Sequence, residues 1–255
     1  MFAIIAVILA SMLAGCVDAI AGGGGLIQLP AMVAAYPGVP AATLFGTNKF
    51  ASVWGTAWAS ASYARRVRLP WRALLPAVGA AVAGGVLGAW LAMRVSDQWL
   101  RALLPVILTA VLVYTLWRKD LGRVHAPAFR GAAEAAVAAG IGLAIGFYDG
   151  LFGPGTGSFL IFLFVHALGY DFLHASACAK VVNVATNLAA LGVFAVGGHV
   201  WWPLAVAMAA ANVVGSVIGT QLALRRGSGL VRAVFIAVVS ALILKTAYDA
   251  CCGGT

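Results

Sequence analysis

The chain has 255 residues, 63% of them hydrophobic and only 9% charged, with a mean hydropathy of +1.01. Soluble domains carry about 25% charged residues, so a soluble domain is excluded. The net charge of +9 sits in short loops between apolar runs, which is the positive-inside pattern and not a nucleic-acid surface.

In chain order, the first apolar unit runs from Met1 to Ala21, is broken by Gly22-Gly23-Gly24-Gly25, and resumes from Leu26 to Tyr36. Leu13-Ala14-Gly15-Cys16 resembles a lipoprotein cleavage box, but no Lys or Arg precedes it. Without that basic region, residues 1 to 22 are expected to remain as membrane structure. Ala41 to Ala64 follows and is closed by Arg65, Arg66 and Arg68. Ala73 to Met93 ends at Arg94, and Trp99 to Trp117 ends at Arg118. The longest polar stretch, residues 118–130, joins the halves. Gly131 to Gly150 then leads to a second break at Gly153-Pro154-Gly155-Thr156-Gly157. Ser158 to Leu168, His174 to Val196, Trp201 to Leu224 and Leu230 to Tyr248 complete the chain. Most of these runs have about 20 residues, enough to cross ~30 Å of hydrocarbon.

The second half echoes the first at a spacing of 131 residues, without a gap. Gly15 and Asp18 meet Gly146 and Asp149, Lys49 meets Lys180, Trp71 meets Trp202, Arg94 meets Arg225, and Arg101 meets Arg232. The expected fold is an all-α polytopic membrane protein in a single transmembrane domain, residues 1–255. It holds two homologous repeats, 1–117 and 131–250, of four hydrophobic units each.

Each repeat opens with a glycine-broken unit. Irregular backbone survives at membrane depth only inside protein or beside a wet cavity. If each first unit crosses once, the repeats are parallel and Arg94, Arg101, Arg225, Arg226 and Arg232 fall outside. If each dips in and returns, the repeats are inverted and only Arg94 and Arg101 fall outside. The positive-inside rule favours inverted repeats with re-entrant broken helices.

Candidate chemistry gathers at the breaks. A Gly-rich turn before a helix offers free N–H groups and a positive dipole end. This makes Gly23, Gly24, Gly25, Gly155, Thr156 and Gly157 candidate anion ligands, with close helix packing as the structural alternative. Lys49 and Lys180 lie inside apolar runs, where a cation costs about 3 kcal/mol. They fit an anion site, a salt bridge to Asp18 or Asp149, or snorkelling toward the interface. Asn48, Ser52 and Thr56 share one helical face, and Asn183 and Asn187 occupy the positions of Ser52 and Thr56 in the second half. Asp18 and Asp149 fit charge balance for the lysines or proton coupling.

Cys16, Cys178, Cys251 and Cys252 form no CxxC pair, and His125, His166, His174 and His199 show no ligand spacing. Trp99, Trp117, Trp201 and Trp202 fit an interfacial belt. There is no phosphate-binding GxxxxGK[ST] loop and no nucleophile–base constellation, so neither an ATPase nor an enzyme is expected, and no metal or cofactor.

Gly22 to Gly25, Gly46-Thr47-Asn48-Lys49 and Gly146-Phe147-Tyr148-Asp149-Gly150-Leu151-Phe152-Gly153-Pro154-Gly155 resemble the TauE/SafE family of sulfite exporters and toluenesulfonate-uptake permeases, most of all its YfcA-like branch. The resemblance covers residues 3 to 250. It implies a bacterial inner-membrane secondary transporter for small anions, often sulfite or organosulfonates. The second half departs from the pattern, with Cys178-Ala179 in place of Thr47-Asn48, so the two lysines are not expected to contribute equally. Thr47, Asn48 and Lys49 join the candidate substrate ligands. The function expected is proton- or ion-coupled transport of a small anion; an anion channel or a non-transporting scaffold is the alternative. The expected partners are that anion and the lipid bilayer; a homodimer is compatible with the sequence.

Overall fold

The computed structural model of the protein describes residues 2–96 and 126–226. The apolar runs expected over 99–117 and 230–248 lie outside the described residues. So do Trp99, Arg101, Trp117, Arg118, Lys119, Arg123, His125, Arg232, Cys251 and Cys252. Among the described residues there are eight helices and no strand: α1 (Phe2–Ala21), α2 (Gly25–Ala35), α3 (Ala41–Ala64), α4 (Trp71–Ala92), α5 (Ala132–Leu151), α6 (Thr156–Leu168), α7 (Phe172–Val196) and α8 (Trp202–Arg226). Five of them, α1, α4, α5, α7 and α8, are long and apolar enough to cross a membrane. Helix α3 has the length of a span but carries Thr47, Asn48, Lys49, Ser52 and Thr56, all of which except Ser52 are buried.

Helices α2, α3 and α4 start at Gly25, Ala41 and Trp71, each 131 residues before the starts of α6, α7 and α8. Capping moves some ends from where hydropathy put them. Helix α7 begins at Phe172 rather than His174 because the Asp171 carboxylate accepts from the amides of Leu173 (2.7 Å) and His174 (3.0 Å). Burial pushes the Asp171 carboxyl up, but the bonds from His174 and Leu173 outweigh it and hold it below the usual carboxylate range. Helix α4 begins at Trp71, directly after Pro70.

The glycine breaks are tight reversals. Gly22 and Gly23 take φ of 75° and 83°, and Gly153 and Gly155 take 88° and 83°, a region open to glycine at little cost. Gly24 then lies on the backbone of Ala14 and the Asp18 side chain, so α2 folds back along α1.

Glycine stripes set the packing between halves. Gly142, Gly146 and Gly150 of α5 press on the backbone of Ala77, Ala81 and Gly85 of α4. Gly84 and Gly88 press back on Leu143 and Phe147. With partners exchanged, Gly215 and Gly219 of α8 press on Met12 and Cys16 of α1, and Gly15 presses on Asn212. Residue numbers rise together along both pairs, so α4 runs parallel to α5 and α8 runs parallel to α1. Such close backbone approach is how helices gain dispersion contacts in lipid.

Two apolar clusters flank the centre. One holds Tyr63, Leu74, Phe164 and Leu168; the other holds Val7, Leu29, Phe45, Phe194 and Met208. The outer face is apolar, with Leu75, Leu87, Val206 and Ile218 exposed. Trp54, Trp58, Trp71, Trp90 and Trp202 are half-exposed, in keeping with contact to lipid and its interface. Of the expected belt residues, Trp202 packs on Phe50, while Trp201 turns inward against Tyr36 at a ring separation of 5.0 Å.

Candidate functional site

A helix that ends inside a membrane leaves carbonyls that no water can satisfy. Side chains from other helices satisfy those of α1. Tyr63 donates to the carbonyl of Ala19 (3.0 Å), Ser176 to Ile20 (3.4 Å) and Ser158 to Ala21 (3.2 Å). The Lys180 amine donates to the main-chain carbonyl of Asp18 and stands 3.4 Å from its carboxylate. A cation at a helix C-terminus is also favoured by the helix dipole. Lys180, fully buried, is therefore part of the α1 cap.

The reciprocal pair is Lys49 and Asp149. Their charged atoms are 2.6 Å apart, and their side chains are 4% and 2% exposed. Thr156, the first residue of α6, places its hydroxyl 2.6 Å from the same Asp149 oxygen. Gly153 makes room for the lysine: a Cβ there would stand 2.7 Å from Nζ. Both ion pairs join one half of the chain to the other. Asp18 is further held by the amide of Gly24 (3.4 Å) and the hydroxyl of Thr56 (3.3 Å).

These groups surround a narrow cavity of ≈ 20 Å³, about the room that one water needs. Of the residues expected from sequence, Gly23, Gly24, Gly25, Asn48, Lys49, Ser52, Gly155, Thr156, Gly157, Asn183 and Asn187 line it, as do Asp18 and Asp149. Two others do not. Lys180 is turned to the α1 end. Thr47 donates to the carbonyl of Thr43 (2.6 Å) and accepts from the amide of Trp201 (2.9 Å), tying α3 to the start of α8. Asn187 spends its amide on Asn183, at 2.8 Å to the carbonyl and 3.0 Å to the side-chain oxygen.

Asn212 also lines the cavity, and the sequence reading missed it. Its amide donates to Ser11 (3.1 Å) and Gln28 (3.4 Å). Its counterpart in the first half is Ala81, so a search for doubled residues passes over it. The available signal was a lone Asn in an apolar span.

Two buried polar atoms of the lining residues lack a partner, the Asn48 amide nitrogen and the second Asp149 oxygen, as does the amide nitrogen of Gln28, which is bonded to the lining through Ser52 and Asn212. Each such group costs about 1–3 kcal/mol. The cavity thus offers an ammonium, an unpaired amide, the N-terminal ends of α2 and α6 with Gly25 and Gly157 in its lining, and one unpaired carboxylate oxygen. Among the described residues no group of His, Cys, Asp and Glu could hold a metal. His166 stacks on Phe162, His174 stands beside Asp171, and His199 lies 3.5 Å from Thr43.

Apolar spans around a charged, glycine-broken centre define a multi-pass membrane protein, and its relatives make it a transporter. The chain belongs to the sulfite exporter TauE/SafE family, whose model matches residues 7–246. It is 37% identical over 240 residues to a probable membrane transporter protein, ORF9, of Sinorhizobium sp, covering 94% of this chain and 90% of the relative. It is 33% identical over 240 residues to the probable membrane transporter protein YfcA of Escherichia coli K12, covering 94% and 87%. A probable membrane transporter protein of Haemophilus influenzae is 32% identical over 238 residues, covering 92% and 91%. No solved structure matches the chain.

Proposed function

We propose that the protein is a secondary carrier for small anions, sulfur-containing ones such as sulfite or organosulfonates, with transport coupled to a proton or another ion. The observation that carries this reading is the central cavity, where Lys49 and the unpartnered Asn48 amide meet the N-termini of α2 and α6. Convergent N–H groups and one ammonium suit an oxyanion. An incoming anion supplies the acceptor that Asn48 lacks and competes with Asp149 for Lys49. Protonation of Asp149 at its free oxygen frees the lysine for the anion, which couples the two. The family name points to sulfite, and three oxygens on one sulfur match donors arriving from several sides.

The relative directions of the helices also support the carrier reading. Thr56 and Tyr63 of α3 reach Asp18 and Ala19 near the end of α1, while Ser52 reaches Gln28, which shares Asn212 with Ser11. Helix α3 therefore runs with α1, α4 returns, and α5 runs with α4, opposite to its own counterpart α1. Two opposed halves around a shared cavity suit alternating access.

The test uses purified protein and proteoliposomes. Sulfite, sulfonates and carboxylates are screened for thermal stabilisation, since a ligand at 100 times its Kd adds about 2.7 kcal/mol. Saturable flux of the stabilising anion, lost in Lys49→Ala while the protein still inserts, is expected. Wild-type flux in that variant refutes the assignment.

A further inference from the structure

Helices α3 and α8 end side by side in a second pocket of ≈ 290 Å³ that shares no residue with the central cavity. Arg65, Arg66 and Arg225 line it, together with Trp58, Thr220 and Gln221, and among the described residues no carboxylate does. Helix C-termini favour cations, which accounts for one arginine at each end. It does not account for three arginines around one pocket. Nor does it account for Thr220, which is 1% exposed and whose hydroxyl has no hydrogen-bond partner.

The pocket is also one-sided. At 131 residues' remove, Arg65 and Arg66 correspond to Val196 and Gly197, and Thr220 and Gln221 to Ala89 and Trp90. Only Arg225 keeps a basic counterpart, Arg94, and that guanidinium lies 3.3 Å over the Trp90 ring. The 131-residue echo covers helices at both ends; the arginine cluster stands at one.

What lies beside the pocket identifies the ligand. Along α3, Trp54 and Trp58 are half-exposed and precede Arg65 on one face. Along α8, Val214 and Ile218 are half-exposed and precede Gln221 and Arg225 on one face. Both helices carry half-exposed apolar side chains and then, about two turns on, arginine, a side chain suited to phosphate. We propose that this pocket binds the phosphate of an anionic phospholipid in the cytoplasmic leaflet, with the acyl chains lying along Trp54, Trp58, Val214 and Ile218. Basic pockets between spans on the cytoplasmic side suit such head groups.

The test is native mass spectrometry of the full-length protein exchanged into phosphatidylglycerol, phosphatidylcholine of the same chains, or phosphatidylcholine plus inorganic phosphate. Wild type should retain phosphatidylglycerol about fivefold over phosphatidylcholine, as expected for several arginines at a lipid surface. The Arg65→Gln/Arg66→Gln/Arg225→Gln variant should lose that preference, and Arg94→Gln should keep it. Thr220→Val, which leaves every charge and hence the topology in place, should at least halve retention. Unchanged retention in the triple variant overturns the proposal. If that variant does not insert, unchanged retention in both Thr220→Val and Arg225→Gln overturns it instead. Displacement of the lipid by millimolar inorganic phosphate also overturns it, because the site would then be one for a soluble anion.

Discussion

At the scale of single residues, the two buried lysines do different work although duplication made them equivalent. Lys49 meets a carboxylate oxygen at 2.6 Å and faces the cavity. Lys180 holds the end of α1 through a main-chain carbonyl and stands farther from its carboxylate. Removing one member of a buried pair strands the other, at about 3–5 kcal/mol. Lys49→Met should therefore lower stability by about 3 kcal/mol. Adding Asp149→Leu should restore most of it, because no charge is then left alone. Anion flux should stay absent in the double variant. For Lys180→Met, adding Asp18→Leu should recover less, since the Asp18 carbonyl keeps the Gly22 amide at 2.9 Å but still loses its charged donor. Thermal unfolding in detergent reads both pairs. Equal rescue at both would mean that the main-chain bond of Lys180 contributes nothing.

At the scale of helices, glycine decides which faces meet. A methyl on Gly146 or Gly215 would run into the backbone of Ala81 or Met12, whereas nothing lies within 4 Å of one on Gly79 or Gly140. Gly146→Ala and Gly215→Ala should each cost about 1–3 kcal/mol through overpacking. Gly79→Ala and Gly140→Ala should be neutral or stabilise by up to about 1 kcal/mol, the helix-propensity gain. Destabilisation by all four alike would show that propensity, not packing, governs these positions. This contrast also marks what the sequence could reveal. The breaks, the buried charges and most cavity residues were legible because duplication repeats them against an apolar background. The pairing was not: Lys180 and Asp18 are 162 residues apart, and sequence offers no means of telling exchange between halves from pairing within one. Asn212 was hidden for the opposite reason, its counterpart being Ala81.

At the scale of the whole molecule, loops collect at two ends, and arginine separates them. The amides of Ala126 and Ala128 donate to the carbonyls of Gly169 and Leu168, joining the entry to α5 with the end of α6. Arg65, Arg66, Arg68, Arg72, Arg130, Arg225 and Arg226 belong to that end. Tyr36 packs on Trp201 at the opposite end, where Arg94 stands alone among the described residues. The positive-inside rule predicts that the first end is cytoplasmic. Gly38 and Gly169 are equivalent by the 131-residue spacing, and this makes them the decisive positions. Parallel repeats put both on one side; inverted repeats put them on opposite sides. In a cysteine-free background, Gly38→Cys has open space around it, and Ala128→Cys reports on the loop that Gly169 joins. A membrane-impermeant maleimide should label Gly38→Cys on intact cells and Ala128→Cys only after permeabilisation. Labelling of both from one side removes the inverted arrangement, and with it the argument for alternating access around Lys49 and Asn48.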